Sequence, residues 1–273
     1  MTRSRKRNEP RIGLALGGGG AKGVSHIAFL QTLEDMGLRP SVLAATSVGA
    51  VVAGHYAGGM SATEIADRLP QANFADLVKA LELIKQSRAT KLKGQGMRKL
   101  LAASLPVHRF EDLEIPLKVV ATDFWARTPV VFEAGDLVTA IRASMALPGL
   151  YDPVKLDGRV LIDGGSVDPL PFELIRGQCD ILVAIDVSGE KQPKRKRRGN
   201  MPSRFEAIFS AFQIMQASIV QAKLRTADVD IYVKPKLENV RVLDFHKHRE
   251  ILDSVRDDVD DFRAQLTACL EAY

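Results

Sequence analysis

Three short stretches of this 273-residue chain combine residue types that can do chemistry. The first is the run Gly-Gly-Gly-Gly-Ala-Lys-Gly at 17–23. A glycine loop at the start of a helix aims several backbone N–H groups into one small space and stabilises an anion there. That anion is either a phosphate or the oxyanion of a tetrahedral intermediate. The second stretch is Thr-Ser-Val-Gly at 46–49, where Ser47 has Ala45 two residues before it and Gly49 two residues after. In a strand–turn–helix context, G-x-S-x-G is the sharp elbow that presents a nucleophilic serine, and both flanking positions must be small. Ala45 is small without being glycine, so the match is imperfect, and a serine that only caps a small-residue helix is the competing reading. If the elbow forms, the N–H groups after Ser47 lie at a helix N-terminus, whose dipole favours an alkoxide or oxyanion. The third stretch is Asp163-Gly164-Gly165, an acid followed by two glycines that permit a backbone turn aiming the carboxylate at a neighbour.

A serine hydroxyl is a poor nucleophile unless a base takes its proton. The order Ser47, Asp163, His246 is that of one class of Ser-His-Asp triad. His246 and His248, however, lie in the charged stretch 244–250, which reads as a solvated helix start. The other base available is Asp163 itself. A free Asp titrates near about 3.9 and is a weak base in water. Exclusion of water and a tight hydrogen bond to the serine would make it adequate. The residues alone leave both bases open. Nucleotide chemistry fits less well. Residues 18–23 match GxGxxG, but the next strand ends in Ala-Ala-Thr-Ser without the acidic residue of a dinucleotide site. Lys22 is followed by Gly23 instead of Ser or Thr, so the phosphate-binding P-loop pattern fails as well.

The elements that must position these residues read as strand (12–16), loop (17–23), helix with Ile27, Leu30, Leu33 and Leu38 on one face, strand (41–45), turn, and helix (50–57). That alternation is an α/β pattern with a parallel sheet covered on both faces. Residues 61–105 are helical in tendency, with an amphipathic piece at 76–84 and an interruption at Gly94 and Gly96 before 97–105. Strands follow at 117–122, 128–132, 160–162 and 181–187, with a helix at 136–146. After a basic linker come a long helix at 203–226, a short strand at 231–233 and a final helix at 246–270.

Composition narrows the class. The chain is 46% hydrophobic and 26% charged, which belongs to an ordinary globular protein. Its net charge of +5 suits an anionic surface without demanding nucleic acid. Aromatic residues are only 6%, which argues against a base-stacking platform. Cys179 and Cys269 form neither a CxxC nor a Cys/His cluster, so no zinc site or disulfide scaffold is indicated. The basic start is followed by five apolar residues, too few for a signal peptide, and 42–54 is too short to span a bilayer. A cytoplasmic location is the expectation.

Taken together and in order, the glycine loop, the elbow serine and Asp-Gly-Gly are far more specific than any one of them. They are joined by Arg-Ala-Ser-Met-Ala-Leu-Pro-Gly at 142–149 and Pro-Leu-Pro at 169–171. The set resembles the patatin-like phospholipase family, in its compact bacterial type, from about residue 12 to 187. The resemblance implies a three-layer α/β/α fold with a mainly parallel central sheet. It implies a Ser–Asp dyad without histidine: Ser47 as nucleophile, Asp163 as base, and the N–H groups around Gly18, Gly19 and Gly20 as oxyanion hole. Lys22, Gly49, Gly164 and Gly165 fall at supporting positions, and Lys22 is expected to orient the loop. The implied reaction is hydrolysis of a phospholipid, lysophospholipid or other fatty-acyl ester through an acyl-serine, with no metal or cofactor. The implied organisation is a basic tail (1–11), the catalytic core (12–187), a basic linker (188–202) and a helical and strand extension (203–273) packed on the same domain.

Two departures carry expectations of their own. Ala45 stands where the family usually has glycine, and its methyl could distort the elbow. Asp168 stands where the family often has Asn, and a second carboxylate would raise the pKa of Asp163 if close. The substrate class adds a partner, an anionic membrane surface met by the basic residues at 3–7 and 194–198. The alternative from another class is a catalytically silent binding or regulatory protein on the same fold, which Ala45 alone favours. No residue pattern signals an oligomeric state.

Overall fold

Alternation along the apolar strands decides the layering. In Ile-Gly-Leu-Ala-Leu at 12–16, successive side chains point to opposite faces of a sheet. Ile12, Leu14, Leu16, Leu43, Ala45, Val183 and Ile185 fall in one core cluster, and Ala15, Val42, Ala44, Leu182 and Ala184 in another. The structure, a computed structural model, describes residues 10–71, 91–188, 201, 204–238, 240–242 and 244–273. Its strands are β1 (Ile12–Leu16), β2 (Val42–Thr46), β3 (Leu117–Asp123), β4 (Thr128–Phe132), β5 (Val154–Leu156), β6 (Arg159–Asp163), β7 (Ile181–Ile185) and β8 (Ile231–Val233). Its helices are α1 (His26–Asp35), α2 (Val48–Ala57), α3 (Ala62–Gln71), α4 (Lys91–Ser104), α5 (Leu137–Ser144), α6 (Arg204–Leu224), α7 (His248–Asp253) and α8 (Arg256–Ala272).

The eight strands form one sheet in the order β5-β6-β3-β2-β1-β7-β8, with β4 on β3. Pairs among β3, β2, β1, β7 and β8 are parallel, and those of β4, β5 and β6 are antiparallel. The mainly parallel α/β/α sandwich expected from sequence is therefore what forms. One face carries α1 and α2, with Phe262 of α8 edge-on to Phe29 of α1 at 5.6 Å. The other is covered by Leu170, Phe172, Ile175 and, from α6, Val220.

The register of β3 builds the site. β4 takes one edge of β3 at 119–123, so β2 and β6 must share the other. There Thr46 ends β2 opposite Val120, and Asp163 ends β6 opposite Ala121. Because β2 runs with β3 and β6 against it, their C-terminal ends converge on adjacent positions of one strand.

Local expectations fail in four places. The glycine run is a loop only to Gly19, since Gly20–Ser25 winds into a 3₁₀ turn leading into α1, with Gly20 alone in the run at positive φ. Gly94 and Gly96 do not interrupt α4. Burial of Met97 and Leu101 outweighs a glycine penalty of about 1 kcal/mol each. The final helix divides at Ser254–Val255, because α7 packs on the 3₁₀ turn of the glycine segment while α8 packs on α1. Finally, β5 went unread. It pairs with β6 through Asp157-Gly158, both at positive φ, the two-residue hairpin turn for which Asp-Gly is a strong signal. The amphipathic piece at 76–84 and the basic residues at 3–7 and 194–198 lie outside the described residues.

Candidate active site

Ser47 joins β2 to α2 with φ 55° and ψ −125°, a conformation costly for a residue with a side chain. Hydrogen bonds on both sides hold it there. Thr46 Oγ1 donates to the Asp168 carbonyl at 2.8 Å, the Ser47 amide donates to Ser144 Oγ at 2.7 Å, and the Ala50 amide donates to the Ser47 carbonyl at 2.9 Å. The elbow thus forms with Ala45 in place, its methyl fully buried in the core. Ser47 Oγ makes no capping bond to α2. It donates instead to Asp163 Oδ2 at 2.7 Å. The helix-cap reading is overturned by that bond.

Asp163 is 2% exposed. Its second oxygen, Oδ1, accepts the Gly165 N–H at 2.7 Å, and its carbonyl accepts Thr122 Oγ1 at 2.8 Å. Burial pushes its pKa up to about 6, against the lowering pull of the Ser47 and Gly165 hydrogen bonds. Asp168 is not the cause. It pairs with Lys223 Nζ at 2.7 Å, so its charge is answered from α6. Lys223 also donates to the Leu170 carbonyl at 3.1 Å and lies 4.8 Å above the Phe172 ring.

The glycines serve close approach more than unusual backbone. Gly164 and Gly165 make the expected turn, a 3₁₀ turn over Gly164–Ser166, without positive φ. A Cβ at Gly164 would lie 2.2 Å from the Val120 carbonyl oxygen, and one at Gly165 2.0 Å from Gln216 Nε2. A Cβ at Gly49 would lie 2.3 Å from the Leu16 carbonyl oxygen, where α2 starts against the end of β1. At Gly18 it would press on Ser47 Cβ at 3.2 Å. The glycine loop therefore lies directly against the serine.

Donors in that loop divide. The Gly17 amide donates to the Ile185 carbonyl and the Gly18 amide to the Pro169 carbonyl, each at 3.0 Å. Gly18 therefore has no N–H to spare for an anion. Among the described residues the amides of Gly19 and Gly20 donate no hydrogen bond. The loop is braced from behind. Fully buried His26 donates Nε2–H to the Gly17 carbonyl at 2.8 Å, and burial drops its pKa to about 4, so the ring is neutral. Lys22 is 3% exposed and donates to the Ser188 carbonyl, tying the loop to the chain beyond β7.

Neither His246, which is exposed, nor His248 is hydrogen-bonded to Ser47 or Asp163. Three residues near the pair were not singled out from sequence. Ser144 lies inside the 142–149 motif, where a buried serine closing a helix is the only local signal. Lys223 and Gln216 sit seven residues apart on α6, the spacing of one helical stripe, but nothing in their composition tells which face turns inward.

Comparison with known proteins bears on this arrangement. Residues 14–175 match the patatin-like phospholipase family. An uncharacterised NTE family protein of Mycobacterium tuberculosis is 36% identical over 205 residues, covering 74% of this chain and 56% of that protein. Lysophospholipase NTE1 of Saccharomyces cerevisiae is 29% identical over 262 residues, covering 88% of this chain and 16% of its own. The chain thus spans little more than half of the first relative and a small part of the second. Among solved structures, VipD from Legionella pneumophila superposes with a TM-score of 0.52 at 16% identity, covering 96% of this chain and 72% of that one, a likeness of fold.

Proposed function

The chain belongs to the patatin-like phospholipase family, and on that premise we propose that it is a serine acyl-ester hydrolase of lipids using Ser47 and Asp163. The observation that carries the reading is the 2.7 Å hydrogen bond from Ser47 Oγ to a buried carboxylate, made from a strained elbow. As Ser47 Oγ attacks the ester carbonyl carbon, its proton passes to Asp163 Oδ2. The carbonyl electron pair becomes an oxyanion, for which the amides of Gly19 and Gly20, unengaged among the described residues, are the donors the loop has left. Collapse expels the alcohol, which takes the proton from Asp163. A water then attacks the acyl-serine, Asp163 takes its proton and returns it to Ser47, and the fatty acid leaves.

A carboxylate with its pKa near 6 is a better base than an exposed one and is still ionised at neutral pH. Lysophospholipids, phospholipids and other fatty-acyl esters are the substrate classes. Peripheral contact with an anionic membrane belongs to the same reading, and no helix among the described residues is long and apolar enough to cross one. The test is labelling of the purified protein with a fluorophosphonate, beside hydrolysis of a p-nitrophenyl ester. Wild type is expected to label and turn over, and Ser47→Ala to lose both by at least about a thousandfold. A wild type that neither labels nor hydrolyses would return the chain to the silent binding protein.

A further inference from the structure

The helix beyond the family match, α6, turns one stripe toward the dyad: Gln216, Val220 and Lys223 at i, i+4 and i+7. Val220 is 1% exposed and packs in the second core, and Lys223 is pinned to Asp168. These anchors fix the height and rotation of the helix, and they hold Gln216 against Gly165. The point where a Gly165 Cβ would stand is 2.0 Å from Gln216 Nε2 and 2.9 Å from Asp163 Oδ1. Gln216 is only 6% exposed, yet among the described residues its amide makes no hydrogen bond. Neither of its polar atoms is among the fully buried unpaired ones, so the amide still reaches solvent, and a ligand in the cleft can pair it. Ile208, Ile214 and Met215 of α6 are exposed, while polar Gln216 is buried beside Val220.

We propose that Gln216 is a substrate-positioning residue whose amide hydrogen-bonds a free hydroxyl on the alcohol portion of the ester, beside the scissile bond. An amide offers one donor side and one acceptor side, and a hydroxyl answers both. The preferred class is a monoacyl ester with a hydroxyl next to the acylated position, as in a lysophospholipid. The inference rests on the hydrolase reading above.

The experiment compares three substrates: a 1-acyl lysophosphatidylcholine with its hydroxyl free, the same lipid with that hydroxyl methylated, and p-nitrophenyl butyrate. Wild type should favour the free hydroxyl over the methyl ether by about tenfold or more in kcat/KM, since a site built to pair a hydroxyl rejects the analogue lacking it. Gln216→Leu, close in volume, should bring that ratio near one, mostly through KM, and leave the p-nitrophenyl ester within about twofold. Gln216→Glu places a second carboxylate by Asp163 and should move the acid limb of the pH profile upward. A hydroxyl preference that survives in Gln216→Leu overturns the inference. So does an equal loss on all three substrates, or a Gln216→Glu profile matching wild type. A wild type inert toward every substrate and toward fluorophosphonate fails the hydrolase reading itself, a different result.

Discussion

At the scale of single residues, Asp163 is caught between solvation and function. The fold removes it from water, which favours the protonated acid, and supplies two hydrogen bonds, which favour the anion, with burial the larger influence. The sign of the linkage follows. A carboxyl whose folded pKa lies above its unfolded value favours folding at low pH, and that advantage is lost as pH rises through about 6. At neutral pH the ionised group costs on the order of 3 kcal/mol. Asn at this position can accept the Gly165 N–H and donate to Ser47 Oγ without ionising. Asp163→Asn should therefore melt higher than wild type at pH 7 to 8, with the gain vanishing below about pH 4, while esterase activity disappears. Equal melting temperatures across that range would refute the buried-carboxylate account. In wild type, kcat/KM should fall as pH drops through about 6.

At the scale of elements, the decisive feature is one strand edge shared by β2 and β6, which end at Val120 and Ala121 of β3. Loops lie beyond both strand ends, but Ser47 and Asp163 are set by strand register, a rigid source of position. The elbow is part of this geometry. Ala45 is buried among its neighbours, and Ser47 still adopts its positive φ. Restoring the family's glycine with Ala45→Gly should leave the fluorophosphonate labelling rate within about twofold. It should lower stability by about 1–2 kcal/mol, from lost strand propensity and a lost buried methyl. A large gain in labelling would show that the methyl restrains the elbow after all.

At the scale of the whole molecule, the site opens at the C-terminal ends of β1 and β2, where ligands of parallel α/β sheets bind. The β3–β4 turn lies at the same end of the sheet. It exposes Phe124 at 46% and Trp125, the single tryptophan of the chain, at 76%, with Arg127 beside them also exposed. Rings of this kind settle at the lipid–water boundary, and the basic residues add attraction to anionic headgroups of up to about 1 kcal/mol each. Phe124→Ala with Trp125→Ala is expected to weaken sedimentation with phosphatidylglycerol-containing vesicles by at least about tenfold. Neutralising residues 3–7 and 194–198 should weaken it further and remove its salt dependence. Unchanged binding in both variants would sink the membrane reading.

By itself the sequence determined the fold class, and it brought Ser47 and Asp163 forward as candidates while leaving His246 open. Glycine runs, an elbow serine and Asp-Gly-Gly are local patterns, and alternation and apolar runs report which strands are buried. What only tertiary structure decided depends on contacts between distant segments. Examples are the hydrogen bond of Ser47 to Asp163 and not to His246, the engagement of the Gly18 amide by Pro169, and the pairing of Asp168 with Lys223. The raised pKa of Asp163 and the inward turn of Gln216 are of the same kind, because burial is a property of the packed molecule. The reason for Gly164 and Gly165 also emerged only there. Their backbone is ordinary, and the space a Cβ would need is already filled by Val120 and Gln216.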